Sequence, residues 1–518
     1  MGKQRDVVSR RSLGRLLAVL VVFGFALTTT GAGTGARPQE LRLTVEGVID
    51  DIVSVDLNGD SLKDLLVLSV KGRSEAARRF GSVFLQKAGR QFPTRPDLVW
   101  ELERSISALD PFNDDLPQAE RGTLFSLGAD GIYAHRLDGE RGDIVASRIL
   151  KADLSYLPPQ EEATLLLDFA APWSGGPTEF LVPAFPHPLL FRPREKEPGD
   201  PIRLQIPPVP SYSLMSTDGE YRTAPLRASF RFQKATPVDQ NGDGKRDLVS
   251  VGKEVISVLD LPSSPPADGN RESRLKAVQP RIFPLDVLSD DEVRSERCSW
   301  RGDLVGLSGN GRKDMVASVT CGKGSFYEFE GRFLTFRSRP DGSFPRQPDH
   351  VFQIQDAMYN SRLIRDLDAD GRVEITVPSV NIGMWAMIRA FTTRKVAFQF
   401  VTVTLGPDAT FDPSRAWKDP VTLRLSSSYD LPVVLFCNAD DDKVTDLVIG
   451  TAEDEVCVFP GKAHDPAHRF SSSASLCFET DPYASFSHAD LDADGKEELI
   501  VKQTQSKTPG QLSVFLFP

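Results

Sequence analysis

Five short stretches of this chain place oxygen-bearing side chains at positions 1, 3, 5 and 9 of a nine-residue window, a spacing that suits a hard divalent cation. The windows carry Asp56, Asn58, Asp60 and Asp64; Asp239, Asn241, Asp243 and Asp247; Asp366, Asp368, Asp370 and Glu374; Asn438, Asp440, Asp442 and Asp446; and Asp490, Asp492, Asp494 and Glu498. Ca²⁺ takes about six to eight oxygens, and a tightly turned loop delivers several of them from alternate side chains plus one main-chain carbonyl. Position 7 is the expected source of that carbonyl, which leaves its side chain free to vary: Leu62, Lys245, Arg372, Val444 and Lys496. Position 6 must turn sharply, and Gly244, Gly371 and Gly495 suit a positive φ there. Ser61 and Lys443 are the compromises. A sixth window, Gly306 to Asp314, keeps the turn but has lost most of the charge. Calcium at about five sites is the expectation.

What flanks each window decides between two kinds of calcium loop. An EF-hand needs a bidentate Glu at position 12 and a helix on each side. Position 12 here is Val67, Ser250, Val377, Ile449 and Val501, and each window runs into a short apolar stretch such as Leu65 to Leu68 or Leu499 to Val501. Such stretches read as strands. A single copy would be an ordinary acidic turn, because Asp, Asn and Gly are what turns use. Five copies in one frame bring three or four carboxylates together repeatedly, and those charges repel unless a cation or a proton intervenes.

The windows begin at 56, 239, 306, 366, 438 and 490, giving gaps of 183, 67, 60, 72 and 52, the first of which is three times 61. A period of roughly 60 with four strands per unit is the pattern of a β-propeller. Two units with decayed loops should then lie near 117 and 178. Gly122 to His135 offers two strands about a turn, and Leu165 to Asp168 followed by Glu179 to Pro183 offers a strand–loop–strand outline. The fold class is therefore all-β, a propeller of four-stranded blades, with eight blades favoured and seven the alternative. The last unit is one strand short, and Leu41 to Val45 could supply it and close the ring. Pro-rich stretches at 183–210 and 261–266 read as long loops.

These loops resemble the FG-GAP/VCBS repeats, the calcium-bearing propeller repeats also found in the integrin α-subunit head. The resemblance is strongest over 236–503 and around 50–70. It implies the propeller fold and the metal; it does not imply one activity, since members of that family include adhesins, scaffolds, lectin-like proteins and some enzymes. Clear Phe-Gly and Gly-Ala-Pro signatures are missing, so integrin-like ligand binding is not implied.

Residues 1–36 read as an export signal: Lys3, Arg5, Arg10, Arg11 and Arg15, an apolar run from Leu16 to Leu27, then small residues ending at Ala32 or Ala36. The basic start suits a Sec or a twin-arginine signal alike. The remainder, 37–518, is expected to be one propeller domain, secreted, periplasmic or on the cell surface, monomeric and without a membrane span. Removing the signal's five basic residues and Asp6 takes the formal charge from −11 to −15. Acidity gathered in metal loops leaves no basic face for nucleic acid.

Five cysteines, Cys298, Cys321, Cys437, Cys457 and Cys477, are confined to late units. Export permits disulfides. Cys298 with Cys321 would tie neighbouring strands, and two of the other three could pair, with one left over; buried reduced thiols are the alternative. Catalytic signals are sparse. Ser308 begins like a nucleophile elbow but lacks the final Gly. His464 and His468 have metal spacing broken by Pro466, and Arg301-Gly302-Asp303 is a tripeptide that chance supplies. The functional expectation is a non-enzymatic, exported, calcium-binding module for a protein or glycan on one face, with a secreted polysaccharide-directed hydrolase or lyase as the alternative.

Overall fold

A computed structural model describes residues 37–518 except 73–75, 113–115, 118–119, 139–142, 158–163, 185–186, 194–200, 207–208, 215–225, 232–234, 253, 262–277, 296, 308–309, 323–328, 356–362, 381–383, 406–409, 411–415, 425–432, 441, 451–453, 464, 466, 481–483 and 504–508. Residues 1–36, expected to be an export signal, together with Ser308, His464 and Pro466 thus lie outside the described residues.

The apolar runs after each acidic window form strands, and consecutive strands pair antiparallel into eight four-stranded sheets. Blade 1 comprises Val48–Val55, Asp64–Lys71, Arg78–Phe84 and Leu98–Leu102; blade 2, Ile106–Asp110, Thr123–Gly128, Gly131–Asp138 and Asp143–Lys151. Blade 3 is the weakest, with Ala170–Ala171, Glu179–Val182, Leu189–Phe191 and Ile202–Arg203. Blade 4 has Ala235–Val238, Asp247–Val251, Val255–Asp260 and Arg281–Pro284; blade 5, Cys298–Val305, Asp314–Gly322, Phe329–Phe336 and His350–Gln355. Blade 6 has Leu363–Arg365, Glu374–Ser379, Lys395–Thr404 and Trp417–Arg424; blade 7, Val433–Cys437, Asp446–Gly450, Glu455–Phe459 and Leu476–Glu479. In blade 8, Ala484–Ala489, Glu498–Gln503 and Gln511–Leu516 are completed by the N-terminal Gln39–Thr44, paired from Gln39↔Leu516 to Thr44↔Gln511. The molecule is an eight-bladed β-propeller closed by its N-terminal strand.

The second strand of each blade is covered on both faces, which explains its unbroken apolar run. Leu65 and Val67 point into the cluster shared with blade 8, whereas Leu66 and Leu68 point into the one shared with blade 2. Eight such clusters fill the eight junctions between blades. The two decayed units are present as blades 2 and 3, with one correction: the first strand of blade 3 is Ala170–Ala171, and Leu165 to Asp168 contributes only an isolated bridge, Leu109↔Leu166. The Pro-rich stretch 183–210, expected to be a long loop, instead contains the third and fourth strands of blade 3, Leu189–Phe191 and Ile202–Arg203, while nearly all of the stretch 261–266 lies outside the described residues. A hairpin, Val209–Leu214 with Leu226–Arg231, forms a further, two-stranded sheet between blades 3 and 4. Among the described residues two short helices, α1 (Asp290–Ser295) and α2 (Met384–Thr393), interrupt the strands. Among the described residues no helix is long and apolar enough to cross a membrane.

Disulfides join Cys298 to Cys321 across blade 5 and Cys457 to Cys477 across blade 7, leaving Cys437 as a buried thiol. Arg301, Gly302 and Asp303 lie within the first strand of blade 5, with Arg301 3.6 Å from Asp303. They form an extended stretch rather than a loop tip.

Candidate metal centres

Every acidic window joins the first strand of a blade to its second. Because the strands run alternately up and down, all these turns leave by one face of the ring, together with the turns between third and fourth strands. Position 6 adopts a left-handed conformation in all six windows: φ is 72° at Ser61, 83° at Gly244, 83° at Gly311, 85° at Gly371, 65° at Lys443 and 90° at Gly495. Ser61 and Lys443 are therefore held in a backbone region that costs most L-residues energy.

Inside each loop the carboxylates organise the backbone. The N–H of position 7 donates to the position-5 side chain at Leu62, Lys245, Arg372, Val444 and Lys496, at 2.7–2.9 Å. In four loops the position-1 carboxylate accepts the N–H of position 6, as Ser61 to Asp56 at 3.0 Å and Gly244, Gly371 and Gly495 to Asp239, Asp366 and Asp490. Position 9 opens the second strand and is the most buried member of the set. Asp64, Asp247, Glu374, Asp446 and Glu498 are each at most 2% exposed. Each accepts the N–H of position 2, from Leu57, Gln240, Leu367, Ala439 and Leu491, at 2.8–3.1 Å.

Burial dominates the electrostatics of that buried acid. It pushes the Asp64 carboxyl up to about 6 and those of Glu374, Asp446 and Glu498 to about 7, against the pull of their backbone N–H bonds and, at Glu374 and Glu498, of the nearby Arg469 and Arg90, and with further lift from carboxylates of the same loop. Asp247 is raised by burial and by Asp260. These groups hold a proton towards neutral pH unless a cation compensates them.

The donor chemistry fits calcium. In the loops at 366 and 490, oxygens of Asp366, Asp368 and Glu374, and of Asp490, Asp492 and Glu498, lie within 4.8 Å of one another, about the span of two ligands on opposite sides of one calcium ion. Buried acceptors without any donor occur in three loops: Asp368 Oδ1 and Glu374 Oε1, Asn438 Oδ1, and Asp490 Oδ1 and Asp492 Oδ1. An acceptor left bare in the interior calls for a partner. The loops at 56 and 239 offer the same residue types, but their carboxylates are spread over backbone N–H groups rather than gathered around one point. The sixth loop turns as expected around Asn310, with Asp314 taken by Ser338.

Two features escaped the sequence. Position 2 is an inward anchor, with Leu57, Gln240, Leu307, Leu367, Ala439 and Leu491 all buried; an apolar residue recurring inside an acidic turn was the available signal. The loops are also chained to one another. The position-8 N–H of Lys63 donates to Leu491 O in blade 8, that of Thr445 to Leu367 O in blade 6, and that of Glu497 to Asn438 O in blade 7. Gln240 exchanges two side-chain bonds with the backbone of Lys313. Glu497 itself accepts the N–H of Asn438 at 2.8 Å and lies 3.0 Å from His488 Nδ1 and 3.7 Å from Arg365. A belt of hydrogen bonds thus links blades 6, 7, 8 and 1 in succession, with a separate link between blades 4 and 5, along this face.

No protein-family model matches the chain, and no curated protein matches it. Among solved structures it is similar to Sqt1 from Chaetomium thermophilum, at 14% identity over 91% of this chain and 97% of that one with a TM-score of 0.42. It is also similar to the Dos1 propeller, at 7% identity, 93% and 95% coverage and a TM-score of 0.32, and to an α-L-arabinanase of Penicillium chrysogenum solved with arabinobiose, at 10% identity, 92% and 98% coverage and a TM-score of 0.27. At these scores the likenesses carry no argument about function.

Proposed function

We propose that this is an exported, calcium-stabilised propeller that binds a protein or glycan through one face, with the metal in a structural role and the FG-GAP/VCBS-like loops as its sites. The observation that supports it best is the division of labour between the two faces. The acidic loops tie blade to blade through their own backbone, so that face serves the ring. The opposite face carries the inserted elements among the described residues: the hairpin of Val209–Leu214 and Leu226–Arg231, α1 between blades 4 and 5, and α2 between the second and third strands of blade 6. Loops on a rigid ring can vary without unfolding it, which is where recognition is placed in such scaffolds.

Calcium in the belt would fix the platform, with Asp, Asn and Glu at positions 1, 3, 5 and 9 and the carbonyl at position 7 as the donors. Folding is then linked to the metal by mass action. The test has two arms. The melting temperature should rise on adding millimolar calcium to chelated protein, and a glycan and envelope-protein array should return a ligand whose binding is lost on deleting the α2 insertion. An unchanged melt removes calcium from the reading. Turnover of an arrayed polysaccharide replaces the binding module with an enzyme.

A further inference from the structure

The two tightest acidic clusters are each entered by an arginine from the blade that follows. At the loop beginning with Asp366, Arg469 arrives from the turn between the third and fourth strands of blade 7. Its Nη1 donates to Asp368 Oδ2 at 2.5 Å and to Ala463 O at 3.0 Å, and its Nη2 lies 4.0 Å from Glu374 Oε1. At the loop beginning with Asp490, Arg90 arrives from the corresponding turn of blade 1. It donates through Nε to Asp492 at 2.6 Å, pairs with Asp494, and lies 3.8 Å from Glu498. Arg90 therefore touches positions 3, 5 and 9 of one loop.

Both arginines are held in place by more than charge. Arg469 is 8% exposed, its guanidinium lies 4.0 Å from the centroid of the Trp417 ring, and its backbone N–H donates to Asp419. Arg90 sits at the tip of a tight turn bridged by Lys87 and Gln91, with φ of +61°, a conformation rare outside glycine. Blade 3 supplies a precedent inside the same chain. Its second strand opens with Glu179, 2% exposed, in the place of the position-9 acid, while the turn before it, 172–178, contains no Asp or Glu. There Arg192 pairs with Glu179, so one guanidinium compensates the buried acid where the other acidic ligands have gone.

We propose that Arg469 and Arg90 are the resident cations of the loops at 366 and 490, and that these two loops stay closed to calcium while the arginines are in place. A calcium ion would need the same carboxylates, those of Asp368, Glu374, Asp492, Asp494 and Glu498, and a divalent charge a few ångströms from a buried guanidinium is repelled. One arginine does not satisfy the whole cluster, since Asp368 Oδ1, Glu374 Oε1, Asp490 Oδ1 and Asp492 Oδ1 have no donor. Removing it therefore leaves a four-carboxylate cage with capacity for an ion. The proposal deepens the calcium reading by sorting the loops, and it rests on that reading for the identity of the reporting ion.

The experiment is calcium titration by calorimetry on the full-length exported protein and on Arg90→Ala and Arg469→Ala. Each variant should bind one more calcium than wild type. Terbium emission excited through tryptophan should appear in R469A, be weak in wild type, and disappear when W417F or D368N is added to R469A. Arg469→Lys, which keeps the positive charge, should keep the wild-type stoichiometry. An alanine variant that needs calcium to fold supports the proposal if millimolar calcium restores it, and one that stays unfolded in calcium overturns it. Wild type binding calcium at a number the arginine variants do not raise overturns this proposal and leaves the calcium reading intact. Wild type binding none while each variant binds one sustains this proposal and removes calcium from the other loops. No binding by any of the proteins overturns both.

Discussion

Replacing Asp64 by Asn separates the two jobs of the buried position-9 acid. Asp64 is 0% exposed and uses its two oxygens on two backbone donors, Leu57 N and Gln86 N, each at 2.9 Å. An amide can serve only one of them, so a buried N–H is left facing an NH₂ group, which costs about 1–3 kcal/mol. Against that, burial raises the Asp64 carboxyl to about 6 in the fold. Its unfolded value is near 3.9, so its contribution to stability is fully present below about pH 4 and is lost as pH rises through about 6. At pH 8 the buried charge costs about 3 kcal/mol, because the folded value lies roughly 2 above the unfolded one and each tenfold change in proton affinity is worth ~1.4 kcal/mol. In chelator at pH 8, D64N should therefore range from neutral to about 2 kcal/mol more stable than wild type. In calcium at ten times the dissociation constant, wild type gains about 1.4 kcal/mol from this loop, a gain the variant lacks. Urea unfolding with and without calcium measures the difference. Equal calcium increments in the two proteins would remove Asp64 from the metal site. A variant more than about 2 kcal/mol less stable in chelator at pH 8 would refute the balance between the stranded N–H and the buried charge.

Ring closure and the buried histidine give two further outcomes. Leu43, 1% exposed on the closing strand, packs with Leu65, Phe84 and Leu512; Leu43→Ala should cost about 2–5 kcal/mol by urea midpoint, and a loss below about 1 kcal/mol would mean that the strand does not close the ring in solution. His135 is buried with its Nε2 2.8 Å from Ser126 Oγ, and burial lowers its pKa to about 4. Its stabilising contribution is present above about pH 6.5 and fades as pH falls towards 4, a span worth up to about 3 kcal/mol. His135→Gln should flatten that part of the pH–stability curve, and an unaltered slope would show that the ring is charged in the fold.

The fold could be read from the sequence because repetition reported the same junction many times over. A strand sandwiched between blades shows as a run such as Leu65 to Leu68, and the acidic window before it marks where each blade begins. Eight blades, and closure by Leu41 and Leu43, followed from the period and the missing strand. Blade 3 was harder to place because two residues suffice for its first strand once Phe169, Ala170 and Phe180 pack against blade 2. Tertiary burial there overrides any local strand signal. Among the described residues the hairpin between blades 3 and 4 pairs only with itself, so nothing in the repeat called for it.

The acidic loops were legible in the sequence and their counter-charges were not. Positions 1, 3, 5 and 9 announce themselves within nine residues, whereas Arg90 lies 402 residues from Asp492, and Arg469 lies 101 from Asp368. Spacing along the chain cannot signal such a contact; only the ring brings a turn of one blade onto the acidic loop of another. Glu179 makes the same point from the other side. With no acidic loop before it, it reads as an ordinary start to the strand Glu179–Val182, yet it occupies the same buried place as Asp64 or Glu498 and needs compensation as they do. The persistent element is therefore the buried acid that opens a second strand in seven of the eight blades, with Thr123 in its place in blade 2. The turn around it can gather further carboxylates, and the compensating cation can come from solution or from a neighbouring arginine.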